Sequence, residues 1–250
     1  MKDRQLARLV STWVMLALLS GCAGTQTAED SGVTTAYDPL EPLNRKFYAF
    51  NDAFDRALLK PVATGYRNAA PGVVRRGITN FFENLTTPRS ALNNFLQGKP
   101  ARGFNEIGRF IFNTTLGLGG FIDIAELGGM QTYEEDFGQT FAVWGLPDGP
   151  YLVLPLLGSR SLLETAAFPL DYYAGLERYI KDREARGAIL ALRIIDLRHR
   201  LLAADQFLEE SMDPYITFRE AYRQNREYAI YDGDPPVEDE YYEFFDEEDY

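Results

Sequence analysis

Apolar residues recur every three or four places along most of this 250-residue chain, yet no apolar run after residue 22 reaches the length of a membrane span. A spanning helix needs about 20 such residues. The segment "LNRKFYAFNDAFDRALLKPV" sets the pattern: Leu43, Phe47, Phe50, Phe54 and Leu58 share one helical face, with Asn44, Lys46, Asp52 and Asp55 off it. Pro61 is expected to limit that helix. A second run carries Val74, Ile78, Phe81, Phe82 and Leu85, then Leu92, Phe95 and Leu96, with Pro88 marking a break or a new first turn. In a third, Phe104, Ile107, Ile111 and Thr115 fall on one face. Residues 186–202 form an arginine-bearing helix with a wide apolar surface, and Asp213-Pro214 reads as N-cap and first position of the last helix. The expected fold class is therefore all-α.

The middle of the body differs. "GLGGFIDIAELGG" places Gly117, Gly119 and Gly120 around apolar residues, and "FGQTFAVWGLPDGPYLVLPLLGSRSLLE" has almost no charge. Glycine permits close backbone approach and sharp turns, so these stretches read as connecting segments. Tyr151 to Leu157 fits a strand, a buried loop or a membrane-facing segment, and Pro155 argues against a central strand. The chain holds 17 Phe, 15 Tyr and 2 Trp. Composition by itself favours an ordinary aromatic core, although amphipathic aromatic helices also lie in membrane interfaces without crossing them.

Both ends are distinct from the body. Lys2, Arg4 and Arg8 precede the apolar run Leu9 to Leu19, and small residues follow. That order is an export signal, residues 1–21. Leu19-Ser20-Gly21-Cys22 resembles a bacterial lipobox, which implies cleavage between Gly21 and Cys22 and lipidation of Cys22, the sole cysteine. One acyl chain holds a protein only marginally, so several chains on Cys22 would be the anchor. Ala23, in place of an aspartate, points to the outer membrane. Residues 22–36 are small and polar, a flexible tether. The chain carries a formal charge of −12, and residues 232–250 hold ten acidic residues and no Lys or Arg. This segment is an acidic tail expected to be disordered. The helical domain lies between, at 37–231. No basic patch supplies phosphate contacts to a nucleic acid.

Catalysis has little to stand on. His199, the only histidine, sits between Arg198 and Arg200, which makes it a poor general base. No second histidine joins it in a metal site. Gly158-Ser159-Arg160-Ser161 is not a nucleophile elbow, and Gly117-Leu118-Gly119-Gly120 lacks dinucleotide spacing. Neither an enzyme nor a cofactor is expected.

"YDPLEPLNRKFYAFND" at 37–52, "GLGGFIDIAELGG" at 117–129, "FGQTFAVWGLPDGPYLVLPLLGSRS" at 137–161 and "DPYITFREAY" at 213–222 together resemble the MlaA (VacJ) family of outer-membrane lipoproteins. The resemblance spans nearly the whole body, while the acidic tail lies outside it. It implies amphipathic helices in a ring-like, membrane-embedded single domain on the periplasmic face of the outer membrane. It implies removal of phospholipid misplaced in the outer leaflet, beside a trimeric porin, and transfer to a soluble periplasmic carrier such as MlaC. A structural lipoprotein that binds porins without moving lipid is the alternative. Hydrating the chains of a lipid costs about 0.8 kcal/mol for each of roughly 30 methylenes, so a transfer path must shelter them while keeping the charged headgroup solvated. On this reading Arg193, Arg198 and Arg200 are candidates to line a lipid channel near phosphate. Phe47, Phe50 and Phe54 would face lipid or ring neighbours, and Gly117, Gly119 and Gly120 would permit tight turns.

Overall fold

The computed structural model describes residues 37–236. The expected signal segment, Gly21, Cys22, the tether and most of the acidic tail lie outside these residues.

Helix α1 (Glu41–Phe54) does not end before Pro61 as expected. It runs into a π-helical stretch, Asp55–Leu59, and then into α2 (Lys60–Ala69). The Lys60 N–H donates to the Asp55 carbonyl, five residues back. Widening the helix by one residue removes the clash that Pro61 would otherwise cause. Pro88 does not break its helix either: α3 spans Gly72–Leu96 with the proline inside. Just before it, the hydroxyls of Thr86 and Thr87 donate to the Glu83 carbonyl at 2.8 and 3.1 Å, back-bonding of the kind that accompanies helix bends. Helix α4 (Pro100–Thr115) packs along α3, and short helices α5 (Ile124–Leu127) and α6 (Phe137–Val143) follow.

The Tyr151–Leu157 run resolves as a strand followed by a turn, so the body is mostly helical with one small hairpin. Strand β1 (Tyr151–Leu154) pairs antiparallel with β2 (Gly158–Ser161), Tyr151 opposite Ser161 and Leu154 opposite Gly158. Pro155 lies in the connecting turn, where its missing N–H costs nothing. Helices α7 (Leu162–Ala174), α8 (Arg183–Leu201), α9 (Asp205–Glu209) and α10 (Pro214–Ile230) complete the order. Asp213 caps α10 as expected, its Oδ1 accepting from the N–H groups of Tyr215 and Ile216 at 3.0 and 3.3 Å.

The free edge of β1 is covered by α1. Asn44 donates to the Tyr151 carbonyl at 3.0 Å and accepts from the Val153 N–H at 2.9 Å. Two helical turns on, Asn51 repeats this with the Leu154 carbonyl at 2.9 Å and the Leu156 N–H at 2.8 Å. Two side-chain amides thus stand in for a third strand and satisfy edge groups that would otherwise be orphaned. Tyr151, Val153 and Tyr215 form a buried core there, with Tyr37, Phe47, Tyr48 and Tyr222 packed around it. Tyr48 meets Tyr215 edge-on at 5.6 Å, and Tyr37 stacks on Tyr151 at 5.8 Å. Beneath them, buried Asp38 accepts from Tyr215, from Asn44 at 2.8 Å and from Arg219 at 3.3 Å.

Candidate functional site: an inverted helix pair and an amphipathic cavity

The α3–α4 pair has the opposite polarity from that core. Helix α4 buries Gly103, Glu106, Arg109 and Asn113. The stripe read from the sequence, Phe104, Ile107 and Ile111, faces outward, with Phe104 67 % exposed. Helix α3 buries Asn84, Thr87, Ser90, Asn93 and Asn94 beside Phe82 and Ala91. These interior groups bond to one another. Arg109 donates to Asp123 at 2.6 Å and to the Met130 carbonyl, and Asn113 donates to Asp123 at 2.9 Å. Glu106 accepts from the Tyr133 N–H at 2.8 Å, Asn84 donates to Thr114 at 3.0 Å, and Thr140 donates to Asn93 at 2.7 Å. Among the described residues, eighteen polar or charged side chains are buried against eight hydrophobic ones, so the aromatic core favoured by composition shrinks to the tyrosine cluster and to Phe82 in α3.

Such inversion suits a boundary that offers no hydrogen bonds. In hydrocarbon the polar groups must satisfy one another internally, and apolar side chains lose nothing by facing out. None of the described helices is long and apolar enough to cross a membrane. Burial pushes the Glu106 carboxyl up to about 7, against the lowering effect of the Tyr133 N–H and Arg109. Asp123 lies below its usual range: burial raises it, but the Glu126 N–H, Asn113 and Arg109 outweigh that.

The glycine-rich segment closes this pair. A Cβ on Gly117 would stand 2.1 Å from the Ile122 carbonyl oxygen, and Gly120 (φ +98°) lies against Asn84. Gly119 is also left-handed, at φ +74°.

A cavity of about 420 Å³ opens away from this pair, with no residue of α3 or α4 in its lining. It is bounded by the second half of α1, the π stretch, the start of α2, the hairpin, the end of α8, α9 and the start of α10. Leu201, Phe207, Leu208, Phe218 and Val153 supply apolar wall, and charged side chains of both signs interrupt it. Arg198 lines it, donating to Asp55 at 2.6 Å and pairing with Asp205 at 2.9 Å. Burial pushes the Asp205 carboxyl up, but bonds from Arg198 and Lys60 outweigh this and hold it down.

The other two candidate arginines point elsewhere. Arg193 pairs with Glu177, and Arg200 with Glu83 at 3.0 Å, and neither lines this cavity. Arg193 and Arg200, seven residues apart, share one face of α8, whereas Arg198 lies about 140° round the helix from Arg193, so a shared charge did not mean a shared face. Phe50 is exposed, Phe54 half-buried, and Phe47 packs on the tyrosine cluster. Sequence reading missed Asn51, Asp52, Asp55, Arg56 and Lys60 as cavity residues. Their signal was the polar flank of the α1 stripe, which reads as solvated surface until α8 and α9 fold over it. His199 sits apart from the cavity lining, with Arg75 donating to its Nε2 at 3.0 Å. Burial, then Arg75, lowers its pKa.

An outward-facing apolar surface, a polar interior linked by internal hydrogen bonds and a cavity with mixed walls define a helical protein made for an apolar boundary and an amphiphilic guest. The chain belongs to the MlaA lipoprotein family, whose pattern matches residues 36–229. It is 36 % identical to the intermembrane phospholipid transport system lipoprotein MlaA of Escherichia coli over 231 residues, covering 91 % of this chain and 90 % of that one. It is 35 % identical to an uncharacterized protein of Rickettsia typhi over 203 residues, 80 % of this chain and 81 % of the relative. A solved structure described as the structural basis for maintenance of bacterial outer membrane lipid asymmetry superposes with a TM-score of 0.70 at 36 % identity, covering 77 % of this chain and 98 % of that one.

Proposed function

We propose that this protein is a lipoprotein of the outer membrane that takes misplaced phospholipid from the outer leaflet and passes it to a periplasmic carrier. It would sit in the membrane as a ring-like helical body, held from the periplasmic face by lipid on Cys22. The observation that carries this reading is the cavity, whose volume of about 420 Å³ falls in the range of small-molecule sites, about 300–1,000 Å³. Its apolar wall shelters part of an acyl chain, and its charges receive a headgroup. The transfer makes and breaks no covalent bond, so the reading assigns no catalytic residue and no cofactor. A trimeric porin and an MlaC-like carrier are the partners this reading proposes.

Filling the cavity tests it. Ala204 and Ala221 both line the cavity and are exposed, so tryptophan fits there without disturbing a packed core. Cells carrying Ala221→Trp or Ala204→Trp should accumulate outer-leaflet phospholipid, measured by its accessibility to added phospholipase. Normal asymmetry with both variants at wild-type abundance would overturn the cavity as the path. Purification in mild detergent separates transport from scaffolding: bound phospholipid supports transport, and porin with no lipid supports a structural role.

A further inference from the structure

The charges of the cavity are arranged in two tiers. Arg198, Asp55 and Asp205 form the inner tier, with side chains 12 %, 24 % and 16 % exposed. Arg198 holds Asp55 at 2.6 Å and Asp205 at 2.9 Å. Its Nη1 is left without an acceptor among the described residues. The outer tier is looser. Arg56, 70 % exposed, pairs with Asp52 at 2.6 Å, and Lys60 reaches out to Glu209, 66 % exposed, at 2.8 Å. Lys60 also bridges inward to Asp205 at 3.0 Å.

Three cations thus face four carboxylates, and every cation already has a carboxylate partner. Lys60 stays protonated, its pKa raised by the bonds it donates to Glu209 and Asp205. A headgroup with net negative charge would meet a wall of net negative charge, and each cation it took would leave a carboxylate unpaired nearby. A zwitterion escapes this penalty. Its phosphate takes Lys60 or Arg56, and its ammonium takes the carboxylate so released. The outer pairs are exposed, and exposed ion pairs hold each other weakly, so the exchange is cheap there. The inner tier, desolvated and doubly bonded, stays in place.

We propose that this cavity selects zwitterionic, ammonium-bearing phospholipid headgroups over anionic ones. The inference rests on the cavity being a phospholipid site and adds its headgroup preference.

The test uses the full-length protein in mild detergent, exchanged against mixed micelles holding equal phosphatidylethanolamine and phosphatidylglycerol, with bound lipid identified by mass spectrometry. Wild type should retain phosphatidylethanolamine by about threefold, the effect of one partly screened charge. The Asp52→Asn/Glu209→Gln protein keeps the shape but loses two negative charges, and should bind both lipids equally or prefer phosphatidylglycerol. Equal binding by wild type, or a preference for phosphatidylglycerol, would overturn the headgroup inference and leave the transport reading standing. A phosphatidylethanolamine preference unchanged in the double variant would also overturn it, by placing the selection elsewhere. Absence of both lipids from wild type would instead sink the transport reading.

Discussion

The tyrosine core beneath the hairpin and the α3–α4 pair are built on opposite plans within one chain. At the hairpin, Tyr151, Val153 and Tyr215 are buried while amides and an aspartate serve their polar edges. In the helix pair, Glu106, Arg109 and Asn113 are inside while Phe104, Ile111 and Leu116 are outside. Both obey one rule, that polar groups away from water need partners. They differ in what surrounds them. Water outside favours the first arrangement, and hydrocarbon outside permits the second. The boundary of the molecule, rather than its composition, decides which face of an amphipathic helix becomes interior.

Substitutions can break that comparison. Gly117→Ala should have the largest effect. The added methyl meets backbone at 2.1 Å, so we expect a loss of at least about 3 kcal/mol and little folded protein, read by protease resistance in detergent. Asn44→Ala strips partners from the Tyr151 carbonyl and the Val153 N–H, which should cost about 2–4 kcal/mol. Asn51→Ala, at the frayed end of the strand, should cost less in the same denaturant titration. Equal costs would mean that the two amides do not act as a graded edge cover.

The helix pair has a pH signature. The Glu106 carboxyl is raised to about 7 from 4.5, so the folded state binds a proton the unfolded chain has lost in that window. Its contribution to stability is complete below pH 4.5 and is lost as pH rises through about 7. Glu106→Gln removes this slope. Relative to wild type it should gain stability between pH 4.5 and 8, by on the order of 1–3 kcal/mol. A constant difference across that range would show that burial does not control this carboxyl.

The smallest stability effect belongs to the outer face. Phe104→Ser in a soluble core would cost about 3–5 kcal/mol. With Phe104 turned outward, its detergent stability should change by less than about 0.5 kcal/mol, while retention on lipid vesicles falls. A core-sized loss would refute the inverted plan.

Much of the helical scaffold was legible because the 3.6-residue period survives whichever side the apolar face takes. Asp213 and Pro214 announced α10 through backbone needs that are purely local. Pro61 and Pro88 misled, since a π stretch makes room for the first and α3 carries the second in its interior. The strand at 151–154 stayed ambiguous because its edge partners, Asn44 and Asn51, lie about a hundred residues earlier. Arg198 could be named as a candidate, but its cavity is assembled from α1, α8, α9 and α10, and no spacing within one segment encodes that meeting.

By itself the sequence determined most of the long helical segments, the cap of α10 and the presence of an apolar stripe on each, because these follow from bonds and periods spanning a few residues. Only the tertiary structure decided which way those faces turn, which charges pair across the cavity and which amides close the sheet edge. Those outcomes depend on what surrounds each helix, and for Asn44, Glu106 and Arg198 the surroundings come from elsewhere in the chain.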